Sequence, residues 1–100
     1  MIRHVVLWKW SEQAKAEGTA DKLRFMQENL AEMVKEIPGM RFGEIALTSG
    51  QTTHDLALYT EFDDPEAVER YQRNPRHEAS RVKSRPWLCE AASVDLPTRD

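Results

Sequence analysis

Cys89 is the only cysteine in the sequence, which excludes an intrachain disulfide and any metal site built from several thiolates. A lone thiol fits a reducing compartment, so the expected location is the cytoplasm. Long apolar runs are missing too. The longest, Val5-Val6-Leu7-Trp8, stops at Lys9, well short of the ~20 residues a membrane-spanning helix needs and of a signal-peptide core, so no membrane partner is expected. Positive charge is not in excess: 14 Lys and Arg stand against 17 Asp and Glu, for a formal net charge of -3. That balance argues against a protein whose main partner is the phosphate backbone of nucleic acid. Four glycines and five prolines are too few for a collagenous or low-complexity chain. The three histidines, His4, His54 and His77, show no i, i+4 pair of the kind that builds a helical zinc site, so no metal is expected.

What is present is ordinary globular material, 40% hydrophobic and 31% charged over 100 residues. This predicts one domain over 1–100, with an ordered core at about 2–96. A chain of this length buries only roughly 60–70% of the surface its unfolded form exposes, so a protomer that also hollows out a pocket gains from oligomerisation.

The hydrophobic pattern divides the chain into elements. Ile2, His4, Val6, Trp8 and Trp10 point one way from an opening strand, and Val5 and Leu7 point the other way between Arg3 and Lys9, so both faces are expected to be covered. After a polar connection containing Gly18, Leu23, Met26, Leu30, Met33, Val34 and Ile37 fall on one helical stripe, with Lys22, Glu28, Asn29, Glu32 and Lys35 largely off it. Thr19 is placed to cap that helix, and Pro38-Gly39 to end it. Extended segments follow at Met40 to Ser49 and from Leu56 to Phe62, joined by the polar turn Gly50 to His54. Asp64-Pro65-Glu66 starts a helix through Val68 and Tyr71. Asn74-Pro75 then starts a short helix reaching about Lys83, and Trp87 to Asp95 forms a last strand. The order is strand, helix, strand, strand, helix, strand, which predicts an α+β fold: a ferredoxin-like βαββαβ domain with a four-stranded antiparallel sheet. Helices on one face leave the other face bare, and a bare apolar face invites a homodimer.

Four segments in this order, Ile2-Arg3-His4-Val5-Val6-Leu7, Ile37-Pro38-Gly39, the strand ending in Phe62, and Tyr71-Gln72-Arg73-Asn74-Pro75-Arg76-His77, resemble the dimeric α/β-barrel, or Dabb, family, often called the stress-responsive A/B barrel. The resemblance implies a homodimer in which two sheets face each other to form a barrel. It also implies candidate roles, because a plant polyketide cyclase of this family uses a tyrosine and a histidine for proton transfer in an aldol cyclisation, without a cofactor. Tyr71 and His77 look like those two positions, and His4 looks like a further histidine lining the same pocket. The commoner His-Pro-x-His pattern is broken here by Asn74 in place of the first histidine.

Each candidate has a plainer alternative. His77 is suited to moving a proton near neutral pH, or it simply holds the first turn of its helix against the sheet. Tyr71 can orient a carbonyl or donate to an enolate, or pack as core beside Val68. His4 and Trp8 line a pocket, or serve as core residues of the first strand. His54, in a polar turn, is expected to be solvated. The basic stretch from Arg70 to Arg85 is either a solvated helix face or a lure for an anionic ligand at the mouth of a pocket near His77. Three functional readings follow. The leading one is a homodimer binding a small hydrophobic, aromatic or polyketide-like molecule between sheet and helices. The second is a cofactor-free cyclase or lyase with His77 as base and Tyr71 as acid. The third is a stress-related assembly module without a pocket.

Overall fold

The computed structural model describes residues 1–97. Strand β1 (Ile2–Trp10) is followed by the helices α1 (Glu12–Glu17) and α2 (Ala20–Glu36), then by strands β2 (Met40–Leu47) and β3 (Leu56–Phe62). Helices α3 (Pro65–Arg73) and α4 (Pro75–Ser84), a single 3-10 turn at Arg85–Trp87 and strand β4 (Leu88–Pro97) complete the chain. All strand pairs are antiparallel, in the order β2-β3-β1-β4, so the first and third strands lie at the centre. This is the ferredoxin-like α+β arrangement expected from the element order.

The differences are local. The segment read as a polar connection contains α1, where the Ser11 hydroxyl accepts from the Ala14 N–H at 3.1 Å and Gly18, at φ +99, ends the turn. The second strand stops at Leu47 rather than Ser49, and Trp87 belongs to the 3-10 turn rather than to the last strand. Thr19 occupies the cap position of α2 without a side-chain bond to the helix. Asp64 and Asn74 do cap their helices, accepting from the N–H of Ala67 and of Arg76, both at 2.8 Å.

Strand register fixes two unlike faces. On the helix side, Ile45, Leu58, Val6 and Ser93 form one cross-strand row, and Gly43, Thr60, His4 and Asp95 the next. Leu56, Leu58, Thr60 and Phe62 alternate inward along β3 and are all buried under the helices. Thr60 is a polar exception that is satisfied, donating to the His4 carbonyl at 3.0 Å. Gly43 lets α2 approach closely, because a Cβ there would stand 3.0 Å from the Leu30 side chain. The opposite face has rows Phe42-Glu61-Arg3-Leu96, Glu44-Tyr59-Val5-Val94 and Ala46-Ala57-Leu7-Ala92. No helix covers it, and Phe42, Val94 and Leu96 are exposed. The sequence-based expectation of two covered faces on β1 is therefore met on one side only within a single chain.

Candidate functional site

The break between α3 and α4 builds the site. Asn74 ends α3 with an extended backbone, φ -68 and ψ 130, as the residue before a proline prefers. Its carbonyl then accepts from the Glu78 N–H at 3.0 Å in the new helix. The resulting bend folds His77 back onto Tyr71, and their ring centroids lie 4.0 Å apart with 31° between planes. Tyr71 also meets Phe62, at 4.9 Å, and His4, at 6.3 Å edge-on.

The rings of Tyr71, His77 and His4 open onto a cavity of about 490 Å³ between the sheet and the helices. All four sequence-based candidates, His4, Trp8, Tyr71 and His77, line it. The convergence of Tyr71 and His77, which a separation of six residues across a proline left open, is thus observed. Val6, Leu58, Met26 and Leu30 give the cavity an apolar floor, while Asn29, Ser80 and Arg81 add polar groups. Asn29, off the buried stripe of α2 as the periodicity predicts, faces α4 and donates to the Ser80 hydroxyl.

Burial and charge set the state of each group. Burial pushes the Tyr71 phenol up to about 12, opposed by the positive charge of Arg81, so the hydroxyl stays protonated at neutral pH. No protein group among the described residues accepts that proton. Burial likewise lowers the His77 imidazole below its ordinary value; the Gln72 backbone and Glu78 push the other way, while Arg81 and His4 reinforce the lowering. His77 Nδ1 is buried without a hydrogen-bond partner among the described residues. His4 Nδ1 sits 2.5 Å from the Asp95 carboxylate, its direct neighbour across the β1–β4 ladder. Asp95 has no sequence signal of its own, since only the strand register brings it to His4.

The remaining candidates fall outside the cavity. His54 is not merely solvated: its ring bonds Thr53 at 2.9 Å and the Glu90 carbonyl at 3.2 Å, tying the β2–β3 turn to β4. Cys89 is exposed and contacts the Trp10 carbonyl at 3.7 Å. Among the described residues, no group of three or more His, Cys, Asp or Glu is placed to hold a metal ion, and no helix is long and apolar enough to cross a membrane. Within the basic stretch, Arg76 is held by Glu32 and Glu36, and Arg73 by Glu69, while Arg81 lines the cavity.

The Tyr71 shift carries a testable consequence for stability. An unfolded tyrosine releases its proton near pH ~10 and the folded one near 12. The stabilisation is full below pH ~10 and is lost as pH rises through the folded value, to a total of about 2–3 kcal/mol. Chemical denaturation at pH 9 and pH 12 is expected to show that much less alkaline destabilisation in Tyr71→Phe than in the parent; equal losses in both would place the hydroxyl in water.

A sheet with helices on one side, enclosing a cavity with a tyrosine and two histidines, defines a ferredoxin-like α+β protein with a candidate acid–base pocket. The sequence matches the Dabb family, the Stress responsive A/B Barrel Domain, over residues 2–98, and the chain belongs to that family. A dimeric protein of unknown function and ferredoxin-like fold from Bacteroides fragilis is similar at 26% identity, with a TM-score of 0.85, covering 97% of this chain and 95% of that one. A dimeric ferredoxin-like protein of unknown function from Thermobifida fusca is similar at 22% identity, with a TM-score of 0.80, over 97% and 90% of the two chains. A protein from Nitrosomonas europaea, provisionally described as an antibiotic biosynthesis monooxygenase, shares the fold at 16% identity, with a TM-score of 0.72, over the whole of both chains. No match is found among curated proteins.

Proposed function

We propose that this protein is a homodimer that binds a small apolar carbonyl compound in the cavity and moves a proton next to the carbonyl without a cofactor. The observation that carries this reading is the Tyr71–His77 pair, rings 4.0 Å apart on the wall of a 490 Å³ cavity. Proton abstraction beside a carbonyl needs a base that is unprotonated at neutral pH and an acid that is not. Burial favours the unprotonated form of His77 and the protonated form of Tyr71, which is the required division of labour. His77 Nε2 takes the proton from the carbon, and the Tyr71 hydroxyl, free of protein acceptors, donates to the oxygen as the enolate forms. The apolar floor keeps water from the anion and strengthens that hydrogen bond. An intramolecular aldol closure, as in olivetolic acid cyclase, which this chain resembles at Tyr71 and His77, begins with the same step. An assembly module without a pocket has no use for such a cavity.

The dimer half of the reading rests on the uncovered sheet face. Its central row carries Tyr59, Val5 and Val94, with Phe42, Leu7 and Leu96 in the rows beside it, a mainly apolar face that a second copy can bury and that also holds Arg3, Glu61 and Glu44. The similar proteins from Bacteroides fragilis and Thermobifida fusca are both described as dimeric. Light scattering is expected to give twice the chain mass of 11.6 kDa, and Val5→Asp in that row to shift the protein toward monomer or unfolded chain. A stable monomer of the parent at micromolar concentration contradicts the dimer.

The chemistry is tested with β-tetralone, an apolar bicyclic ketone small enough for the cavity, by following loss of its α-protons in deuterated water by NMR. Protein-dependent exchange that saturates with ketone is expected; exchange no faster than in buffer at every ketone concentration contradicts the reading.

A further inference from the structure

One wall of the cavity is chemically unlike the rest. The sheet and α2 supply mainly apolar side chains, whereas α4 contributes His77, Ser80, Arg81 and Ser84. Those positions, i, i+3, i+4 and i+7, form a single stripe of the helix. Helix α4 buries no residue at all, and its one large aliphatic side chain, Val82, is 55% exposed. A helix packed on a hydrophobic core normally turns such a residue inward; this one turns its polar stripe to the cavity instead.

The hydroxyls of that stripe are largely committed. Ser80 donates to the Arg76 carbonyl at 3.2 Å and Ser84 to the Ser80 carbonyl at 3.0 Å. Arg81 is different. A guanidinium carries five N–H donors, and the partner of Arg81 is Glu78, at 3.3 Å, in a pair whose side chains are 57% and 52% exposed. An exposed i, i+3 pair contributes little and exchanges readily for a better acceptor. On the sheet, the exposed carboxylate of Asp95 is already paired with His4. Arg81 nonetheless lines the cavity, and its positive charge opposes the burial shift of Tyr71 and adds to that of His77.

We propose that the cavity takes a carboxylate-bearing apolar molecule, with its hydrocarbon body on the sheet and its carboxylate bonded by Arg81 at the mouth, so that Arg81 selects anionic over neutral ligands. The inference rests on the cavity being a ligand site and goes beyond it in naming the ligand's charge and the residue that reads it. A planar carboxylate suits the fork of the guanidinium, and two parallel N–H bonds would also fix which end of the ligand lies beside Tyr71 and His77.

Calorimetric titration with β-naphthoate and with its uncharged isostere β-naphthamide tests this. The parent protein is expected to bind the carboxylate on the order of tenfold more tightly, the scale of one charge-assisted hydrogen bond in a half-open site. Arg81→Gln should abolish that preference, weakening naphthoate far more than naphthamide. Glu78→Gln, which removes the competing carboxylate, should tighten naphthoate binding. Arg73→Gln makes the same change of charge on α3, outside the cavity lining, and should leave the preference intact. Equal affinity for the two compounds, or a preference that survives Arg81→Gln, overturns the proposal while the cavity remains a ligand site. Binding of neither compound overturns the ligand-site reading and this proposal with it.

Discussion

His77→Ala is expected to lower the rate of α-proton exchange from a bound ketone by on the order of 100- to 10,000-fold, the range that a positioned general base supplies. His77 lies on the cavity wall at the start of α4, held there by the Asn74 cap and by its stacking on Tyr71. Its Nδ1 is buried without a hydrogen-bond partner among the described residues. Burial holds the imidazole below its ordinary value, so it is neutral and able to accept a proton at pH 7. Its side chain is not itself a core residue, since α4 buries none of its own residues, and although the deletion uncovers one face of the Tyr71 ring the variant should stay folded. Tyr71→Phe keeps the ring against Phe62 and His4 and deletes only the donor to the oxygen, so its loss should appear in turnover with ligand affinity nearly unchanged. Parent-like exchange in both variants would leave the two residues with packing roles alone.

Phe62→Ala is expected to destabilise the protein by about 3–5 kcal/mol, the largest effect of any single truncation considered for this chain. Phe62 has no exposed surface, ends β3 between Met40 and Ile2, and supports Tyr71 at 4.9 Å and His4 at 6.4 Å. Deleting the ring removes its burial and leaves a hole directly beneath the Tyr71–His77 pair. For a domain of this size the melting temperature should fall by roughly 15–30 °C. Glu32→Ala is the contrast. Glu32 meets Arg76 at 2.5 Å on the surface, its side chain is well exposed, and the loss should stay below about 1 kcal/mol. Comparable melting shifts in the two variants would show that the core does not centre on Phe62.

Much of this architecture is legible in the residues themselves. Alternation along Leu56, Leu58, Thr60 and Phe62 specifies β3 and its buried face, and Asp64-Pro65 and Asn74-Pro75 mark two helix starts that the structure places at those residues. The helix α1 was not legible as a helix. Its six residues carry a Ser11 cap and a Gly18 stop, but so short a segment is not stable alone. Ala14 is buried there, and the Ser11 N–H donates to the Trp87 carbonyl at 2.8 Å, both contacts made by distant chain. The place of Asn29 on the cavity wall was not legible for a related reason. Helical periodicity separates a side facing the sheet from a side facing solvent, and it cannot see that α4 lies along the flank of α2 through Ser80. In the site, Tyr71 and His77 were visible as residue types, while their meeting depends on the bend at Asn74. Arg81 was hidden among its basic neighbours, and Asp95 was hidden by its separation of 91 positions from His4.

The central claim is that the cavity holds a carbonyl compound between Tyr71 and His77, and a crystal structure of the protein with β-tetralone tests it most directly. The account predicts the ketone oxygen at about 3 Å from the Tyr71 hydroxyl and an α-carbon facing His77 Nε2 at near-contact distance. Ketone bound on the open sheet face, or a cavity closed by rearranged side chains in crystals grown with saturating ketone, would contradict it.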